Sequence, residues 1–361
     1  MKKIGILTTG GDCSGLNTAI YRIVHGAALR GWRVFGILDG TDGLFAMPPH
    51  CLELTTDTLT LEYSHLAGSF LHNGHAGSMN FETAIETGKV AKFNRRLRES
   101  LRDMELDALI LIGGNGSTSL AWAHHEIYRD LQLICMPKTI DMDMPLTMRT
   151  IGFDTAVEQL TKFCDQLLMT ARSHHRWFVV QSMGRDCGQL ALNAGLACGA
   201  SAILIPEIKF DVDALIEHIN DSPTDYGIVM VSEGIKLRGH SGRPADMISR
   251  KLTSAGISNR TAYPEHYMRA GDTVATDRIL ATRMADCALN AIENNETYVM
   301  TILDEYNQVR TVSLADFVSA GKLVADPNVP ELKTSNAYVT DDDPLLQVAR
   351  DMGVYIGEIK S

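Results

Sequence analysis

The sequence predicts an α/β fold built on parallel sheets, and three observations carry that prediction. Short β-rich apolar runs alternate with amphipathic helical patterns along most of the chain. Two of the runs end in glycine-rich turns that lead into a helix-like segment. Ile4-Gly5-Ile6-Leu7 runs into Gly10-Gly11-Asp12-Cys13-Ser14-Gly15-Leu16-Asn17, and Ala108-Leu109-Ile110-Leu111-Ile112 runs into Gly113-Gly114-Asn115-Gly116-Ser117. Finally, 361 residues suffice for two domains and a substantial core.

Taken in order, strands are expected over 3–8, 33–38, 107–113, 131–136, 177–182, 201–205, 226–231 and 297–303. Leu16, Ala19, Ile20, Ile23, Val24, Ala27 and Ala28 form a helical stripe that stops at Gly31. Residues 82–104, with Lys92, Arg95, Arg96, Arg98 and Arg102, read as a surface helix with a solvated cationic face. Further amphipathic helices are expected over 154–172, 212–220 and 278–292. The tail from about 320 is richer in Pro and Asp and predicts coil plus a short helix from Leu345 to Met352.

Composition narrows the function class. A net charge of -11 lacks the basic stripe of a nucleic-acid surface, and any phosphate ligand would need local cations. Seven scattered cysteines, an odd number mostly in apolar context, read as reduced thiols of a cytosolic protein. Only four residues separate Met1-Lys2-Lys3 from Thr8-Thr9-Gly10, too few for a signal-peptide core, and no run reaches the length of a membrane span. The expectation is a soluble, cytoplasmic protein.

A glycine turn after a strand lets backbone N–H groups approach an anion at a helix N-terminus. Two such turns, an Asp-rich segment and several late arginines together suggest a polyphosphate site. The Asp-rich segment is Pro137-Lys138-Thr139-Ile140-Asp141-Met142-Asp143, after a predicted strand. In an extended chain Thr139, Asp141 and Asp143 share one face. A hydroxyl and two carboxylates can take a substrate proton and help hold a metal ion. The same residues also make capped turns, so both readings stand. Arg185, between Gly184 and Asp186 just past Trp177-Phe178-Val179-Val180, sits where α/β sheets collect ligands. His174 and His175 read as structural or solvated, and Trp122 as packing.

Several motifs occur in order: Gly-Gly-Asp-x-x-Gly-x-Asn, Gly-Gly-x-Gly-Ser, Pro-Lys-Thr-Ile-Asp-x-Asp, Thr150-Ile151-Gly152-Phe153-Asp154-Thr155-Ala156, Met183-Gly184-Arg185, Ser232-Glu233-Gly234 and Asp277-Arg278-Ile279-Leu280-Ala281-Thr282-Arg283-Met284. From about residue 3 to 290 this run resembles the 6-phosphofructokinase family of the A type. The resemblance implies two Rossmann-like three-layer lobes with mainly parallel sheets and a homotetramer or homodimer. One lobe, 1–152 plus about 277–312, would take the phosphoryl donor; the other, 153–276 plus about 313–361, the sugar phosphate. It also implies phosphoryl transfer to the 1-hydroxyl of fructose 6-phosphate with Mg²⁺. By the same resemblance Gly11, Gly114, Asn115, Gly116, Ser117 and Lys138 serve the donor phosphates, and Asp141 is the base, beside Asp143 and Thr139. Met183, Gly184, Arg185 and Glu233 hold the sugar. Arg176, Arg269 and Arg278 grip the 6-phosphate, Arg176 and Arg269 crossing from a neighbouring subunit.

The chain departs from the family pattern at four places. Asn115 replaces an Asp that helps place Mg²⁺, and an amide is a poorer ligand for a hard cation. Either Mg²⁺ is then held more by the donor phosphates, Asp12 and Asp141/Asp143, or catalysis is weakened. His75 stands where an Arg is usual, with a weaker electrostatic role. Met142 replaces an Asn and is expected to face away from Asp141. Met268-Arg269-Ala270-Gly271-Asp272 replaces Gln-Arg-Gly-Gly. Gly116 leaves room for a nucleotide whereas Lys138 is typical of pyrophosphate users, and the steric argument favours ATP. Tyr21, His25 and Leu168 occupy effector-arginine positions, so a non-allosteric enzyme is expected. The alternatives are a pyrophosphate-dependent enzyme, a kinase of another ketose phosphate such as sedoheptulose 7-phosphate, or a weakly active sugar-phosphate-binding paralogue. A dinucleotide-binding oxidoreductase fits less well, because the first turn lacks Gly-x-Gly-x-x-Gly spacing.

Overall fold

The computed structural model describes residues 1–74, 90–236, 242–324 and 338–357. Its first stretch runs β1 (Lys3–Thr8), α1 (Leu16–Leu29), β2 (Arg33–Ile37), α2 (Thr41–Phe45), β3 (Cys51–Leu54), α3 (Leu61–Ser64), α4 (Val90–Met104), β4 (Ala108–Gly113), α5 (Asn115–Ala123) and β5 (Gln132–Pro137). There follow α6 (Phe153–Ser173), β6 (Trp177–Ser182), α7 (Gln189–Ala197), β7 (Ala202–Leu204), α8 (Val212–Asn220), β8 (Gly227–Ser232), α9 (Pro244–Ser254) and β9 (Asn259–Ala262). The last elements are α10 (Ala275–Glu293), β10 (Val299–Leu303), β11 (Val309–Ser313), α11 (Leu314–Val324) and α12 (Pro344–Asp351).

These elements form two compact units. The first holds Met1–Thr139, Met144–Gly152 and Asp272–Ser335; the second holds Ile140–Asp143, Phe153–Gly271 and Asn336–Ser361. Segment 140–143 thus belongs with the second unit, and residues 313–324 with the first, where the sequence reading placed each with the other lobe. Leu314 and Phe317 of α11 are buried in the first unit's core, which fixes that helix there.

Among the described residues, seven strands of the first unit line up as β11-β10-β5-β4-β1-β2-β3. The five inner strands are parallel and the two edges, β3 and β11, antiparallel. The apolar runs form strands because both faces of the sheet are covered. Leu109 and Leu111 face one cluster with Leu97, Leu101, Ala121 and Phe317 from α4, α5 and α11. Ile110 and Ile112, on the opposite side of the pleat, are equally buried. In the second unit four parallel strands run β7-β8-β6-β9. Val179, Val229 and Val231 pack on Leu215 of α8 and on Ile248 and Leu252 of α9. Val180 and Met230 are buried on the other face. Each unit is therefore a three-layer α/β sandwich.

The eight expected strands are present within a residue or two of the predicted bounds; β3, β9 and β11 were not expected. The helices at 154–172, 212–220 and 278–292 are present as α6, α8 and α10. Helix α4 covers 90–104 of the expected 82–104, and residues 82–89 lie outside the described residues. All seven cysteines are free thiols. No helix among the described residues is long and apolar enough to cross a membrane.

Gly152, at the junction into α6, shows how tightly the first unit is fitted. Its φ is 101°, its N–H donates to Asp277 Oδ1 at 3.0 Å, and a Cβ there would stand 2.4 Å from Cys13 Sγ. Gly152→Ala combines left-handed strain with overpacking and should cost about 2–5 kcal/mol. Urea unfolding measures this, and an unchanged midpoint would show that the turn relaxes.

Candidate active site

Three site segments leave three neighbouring strands of the first unit in step. Thr8 pairs with Ile112, and Gly113 with Pro137, so the turns after β1, β4 and β5 begin side by side. The chain goes from β1 outward to β2 but places β4 on the other side of β1. The glycine turns thus flank a topological switch point, where α/β sheets bind ligands. Thr9 Oγ1 donates to Ser117 Oγ at 2.6 Å, joining the two turns. A Cβ on Gly10 would stand 3.7 Å from Lys138 Nζ and 3.9 Å from Ser117 Oγ. The first turn, the second turn and Lys138 are therefore one cluster.

Lys138 is buried, and its ammonium donates to the carbonyls of Thr9, at 2.9 Å, and of Gly11. In a trans peptide the N–H points opposite the carbonyl, so holding these oxygens turns the N–H groups of Gly10 and Asp12 the other way. Gly11 and Gly116 are exposed, and nothing lies within 4 Å of a Cβ built on Gly116. Asn115 begins α5 with its Oδ1 accepting from Ser119 Oγ at 3.3 Å, and Gly114 is the cap residue before it. Thr139 is anchored where its carbonyl accepts from Thr150 Oγ1 at 2.7 Å.

The next segment departs from the extended form expected of it. Met142 has φ 57°, so the strict alternation of Thr139, Asp141 and Asp143 ends there. Met142 is 1% exposed and Asp141 5%. In the second unit, Arg185 Nε lies 3.5 Å from Asp141 Oδ2; the guanidinium is exposed while the carboxylate is buried. Cys187 Sγ contacts the Met142 carbonyl at 3.9 Å, a second tie between this segment and the turn after β6.

That turn is held by Glu233. Ser182 and Ser232 pair across β6 and β8, so Met183 and Glu233 leave adjacent strands together. Glu233 Oε1 accepts the N–H groups of Gly184, at 3.1 Å, and Arg185, at 2.9 Å. The turn needs this support, since Gly184 has φ 132° and Arg185 φ 53°. Met183 is half-buried beside it. Cys187 is fully buried, and burial, followed by the charges of Glu207, Asp143 and Asp141, pushes its thiol well above the ordinary range.

The arginines are dispersed. Arg176 immediately precedes β6, whereas Arg185 follows it, so the strand holds them about 20 Å apart. Arg269 ends a short 3₁₀ turn beyond β9, where Gly271 fits only because a Cβ would strike the Gln159 amide at 2.3 Å. Arg278 belongs to the first unit, its Nε donating to the Thr273 carbonyl at 2.5 Å. His75 lies outside the described residues. His175 pairs with Asp225 at 2.7 Å on the surface, and Trp122 stacks on His125. A cavity of about 640 Å³ at the amino ends of β6 and β8, lined by His175, Trp177, Asn220, Asp225 and Tyr226, includes none of the expected site residues.

Sequence reasoning missed two supporting acids. Asp277 is fully buried and holds Gly152, though it was visible as part of the Asp-Arg motif. Glu207, after β7, accepts from Gly188 N–H at 2.8 Å and from Val339 N–H at 3.2 Å. Its position after a strand's carboxyl end was the available signal. Among the described residues no group of three His, Cys, Asp or Glu side chains is arranged to hold a metal. One or two carboxylates completed by phosphate oxygens is the usual arrangement for Mg²⁺, so Asp141 and Asp143 fit that ion as partial ligands.

The first unit has glycine turns at the switch point of a parallel sheet, and the second has a buried acid beside a guanidinium; these are features of the α/β phosphotransferase class. The phosphofructokinase family model matches residues 3–292. An ATP-dependent 6-phosphofructokinase 1 of Nostoc sp. is 34% identical over 377 residues, covering 99% of both chains. One from Natranaerobius thermophilus is 35% identical over 86% of this chain and 92% of its own. The Saccharomyces cerevisiae phosphofructokinase structure superposes with TM-score 0.81 at 28% identity, covering 90% of this chain and 46% of that one. A pyrophosphate-dependent phosphofructokinase from Marinobacter aquaeolei, at TM-score 0.75 and 18% identity, shares the fold. The chain belongs to the phosphofructokinase family and is a phosphotransferase with an alcohol acceptor.

Burial raises the Glu207 carboxyl above its ordinary value, outweighing the N–H groups of Gly188 and Val339 that lower it. A folded pKa above the unfolded one gives stability that is present at acid pH and lost as pH rises through the folded value. Glu207→Gln, which cannot ionise, should therefore gain stability relative to the parent as pH rises from about 4 to 8. Paired urea titrations across that range check this, and a constant difference would refute it.

Proposed function

We propose that this chain transfers the γ-phosphoryl group of ATP to the 1-hydroxyl of fructose 6-phosphate. The observation that carries the reading is the buried Asp141 carboxylate beside Arg185 at the carboxyl end of β6. It occurs in a chain whose full-length relatives are named ATP-dependent 6-phosphofructokinases.

Phosphoryl transfer is chiefly positioning and charge neutralisation. The donor phosphates lie on the first turn around Gly11, whose Gly10 and Asp12 N–H groups Lys138 orients, and on the Gly114-Asn115-Gly116-Ser117 turn. Asp141 accepts the proton of the 1-hydroxyl as that oxygen bonds to the γ-phosphorus. The bond to the bridging oxygen breaks, and ADP leaves with the electron pair. Arg185 neutralises charge beside the acid, with Thr139 and Asp143 flanking it. Met183, Gly184 and Glu233 hold the sugar; Glu233 has one oxygen fixed to the turn, which orients the carboxylate. Asp141 and Asp143, with Asn115 as a weak third, would hold Mg²⁺, which would supply further neutralisation of the donor phosphates.

Arg176, Arg269 and Arg278 take the 6-phosphate. The strand length separating Arg176 from Arg185 supports the reading that Arg176 reaches the site of a neighbouring subunit, in a homodimer or homotetramer. Open space at Gly116 supports ATP over pyrophosphate. Lys138, engaged by Thr9 and Gly11, gives pyrophosphate use less support than its identity alone suggested. Tyr21 and His25, with ring centroids 4.1 Å apart, leave no cationic pair on α1, which supports hyperbolic, effector-independent kinetics.

Initial rates with ATP against pyrophosphate, each with fructose 6-phosphate and Mg²⁺, test the donor assignment directly. ATP should give the faster turnover; a pyrophosphate rate above it would reverse the assignment, and sedoheptulose 7-phosphate in parallel tests the acceptor. Asp141→Ser should lower kcat by about a hundredfold or more while sugar-phosphate binding persists. Undiminished turnover would remove Asp141 from the mechanism. A sigmoidal fructose 6-phosphate curve relieved by ADP would refute the non-allosteric reading.

A further inference from the structure

The turn from Met183 to Gly188 is clamped at both ends by carboxylates, and only one of them has a place in the chemistry above. Glu233 holds its start through Gly184 and Arg185. Glu207 holds its end: Oε1 accepts the Gly188 N–H at 2.8 Å, directly ahead of α7. The fit there is close, because a Cβ on Gly188 would lie 2.5 Å from Glu207 Oε2. The same Oε1 accepts the Val339 N–H at 3.2 Å, so a single oxygen joins the turn to the C-terminal segment.

That segment is firmly seated on the second unit. Gln189 Nε2 donates to Asp343 Oδ2 at 3.0 Å, and Asp343 also caps α12 through the Leu345 N–H. Val339, Leu346, Ala349 and Ile356 are buried. Tyr355 pairs with the edge strand β7, its N–H donating to Ser201 and its carbonyl accepting from Ile203. Tyr338 adjoins Val339; burial, then the nearby charges of Asp143, Cys187, Asp186 and Glu207, makes its hydroxyl a weaker acid.

We propose that Glu207 is a positioning residue through which the C-terminal segment 338–357 sets the geometry of the Met183–Gly188 turn, and with it the affinity for the sugar-phosphate acceptor. The inference rests on the reading of that turn as the acceptor-binding element. A carboxylate bonded to two backbone N–H groups fixes both at once, and its loss releases the turn from a support that is itself anchored along twenty residues of chain.

Three variants separate positioning from a general structural role. Glu207→Ala removes the shared acceptor, Val339→Pro removes the donor on the tail side alone, and Glu207→Gln retains an oxygen able to accept both N–H groups. Glu207→Ala and Val339→Pro should raise the KM for fructose 6-phosphate about tenfold, with kcat and the donor KM within about twofold of the parent. Glu207→Gln should stay near the parent. Equal losses in kcat and both KM values, a silent Val339→Pro, or a Glu207→Gln as impaired as Glu207→Ala would each overturn the inference. If Glu207→Ala does not fold, Val339→Pro against Glu207→Gln decides it. Amide exchange in the ligand-free protein gives a readout independent of turnover: exchange over 184–188 should quicken in Glu207→Ala and Val339→Pro and not in Glu207→Gln. Were the parent protein to show no turnover of fructose 6-phosphate with any donor, the functional reading would fail by itself. Unchanged exchange over 184–188 would still overturn the tether.

Discussion

Parallel strands in register end together, and the rest of the site depends on that constraint. In the first unit β1, β4 and β5 are paired up to Thr8, Gly113 and Pro137, so three loops must leave one edge of the sheet, each about 5 Å from its neighbour. A Cβ at position 113 would strike Ser117 at 2.7 Å and Thr9 at 2.8 Å, so Gly113 relieves the crowding there, while Gly10 and Gly114 keep the adjoining turns bare. The bare backbone that results has carbonyls that need partners. Lys138 provides one buried cation for two of them, and the amide hydrogens are left facing the opposite way. A turn with its amide hydrogens turned away from the buried lysine thus follows from strand register, glycine and one lysine, and it is the feature on which the proposed donor site rests.

The same constraint operates in the second unit with different residues. β6 and β8 end together at Ser182 and Ser232, and Glu233 replaces the lysine as the organiser. Here the loop presents N–H groups inward to a carboxylate, so the exposed group is the side chain of Arg185 rather than the backbone amides. One unit offers amide donors and the other a guanidinium and an acid. The difference arises from which backbone group the organising charge binds, carbonyls in the first unit and N–H groups in the second.

Legibility in the sequence followed burial. Strands β1, β4, β5, β6 and β8 are covered on both faces, and their unbroken apolar runs announced them. The three strands not expected, β3, β9 and β11, are all sheet edges. Cys51-Leu52-Glu53-Leu54, Asn259-Arg260-Thr261-Ala262 and Val309-Arg310-Thr311-Val312-Ser313 mix polar residues because one side meets solvent or loop, which erases the apolar signal. The residues of the candidate site were legible because glycine and aspartate spacing is a local property. Their partners were not: nothing in the sequence links Glu207 to Gly188 and Val339, or Asp277 to Gly152, across gaps of 19 to 132 residues. Arg176 was legible as a cation, but the sheet decides that it stands at the other end of β6 from Arg185.

Extended alternation failed at Met142 for a reason that bears on the chemistry. Met142 and Arg185 both occupy left-handed backbone, at φ 57° and 53°, on either side of the Asp141–Arg185 pair. For residues other than glycine this conformation costs about 1–2 kcal/mol apiece, and it persists only where surrounding contacts over-determine it. The contacts are present: Met142 is buried to 1% exposure with its carbonyl against Cys187, and the Arg185 N–H is fixed by Glu233. An Asn at position 142 would tolerate the left-handed form more readily than Met. The chain instead relies on apolar burial to hold the kink, so the packing of one methionine and the hydrogen bonds of one glutamate together keep the acid and the guanidinium within reach of each other.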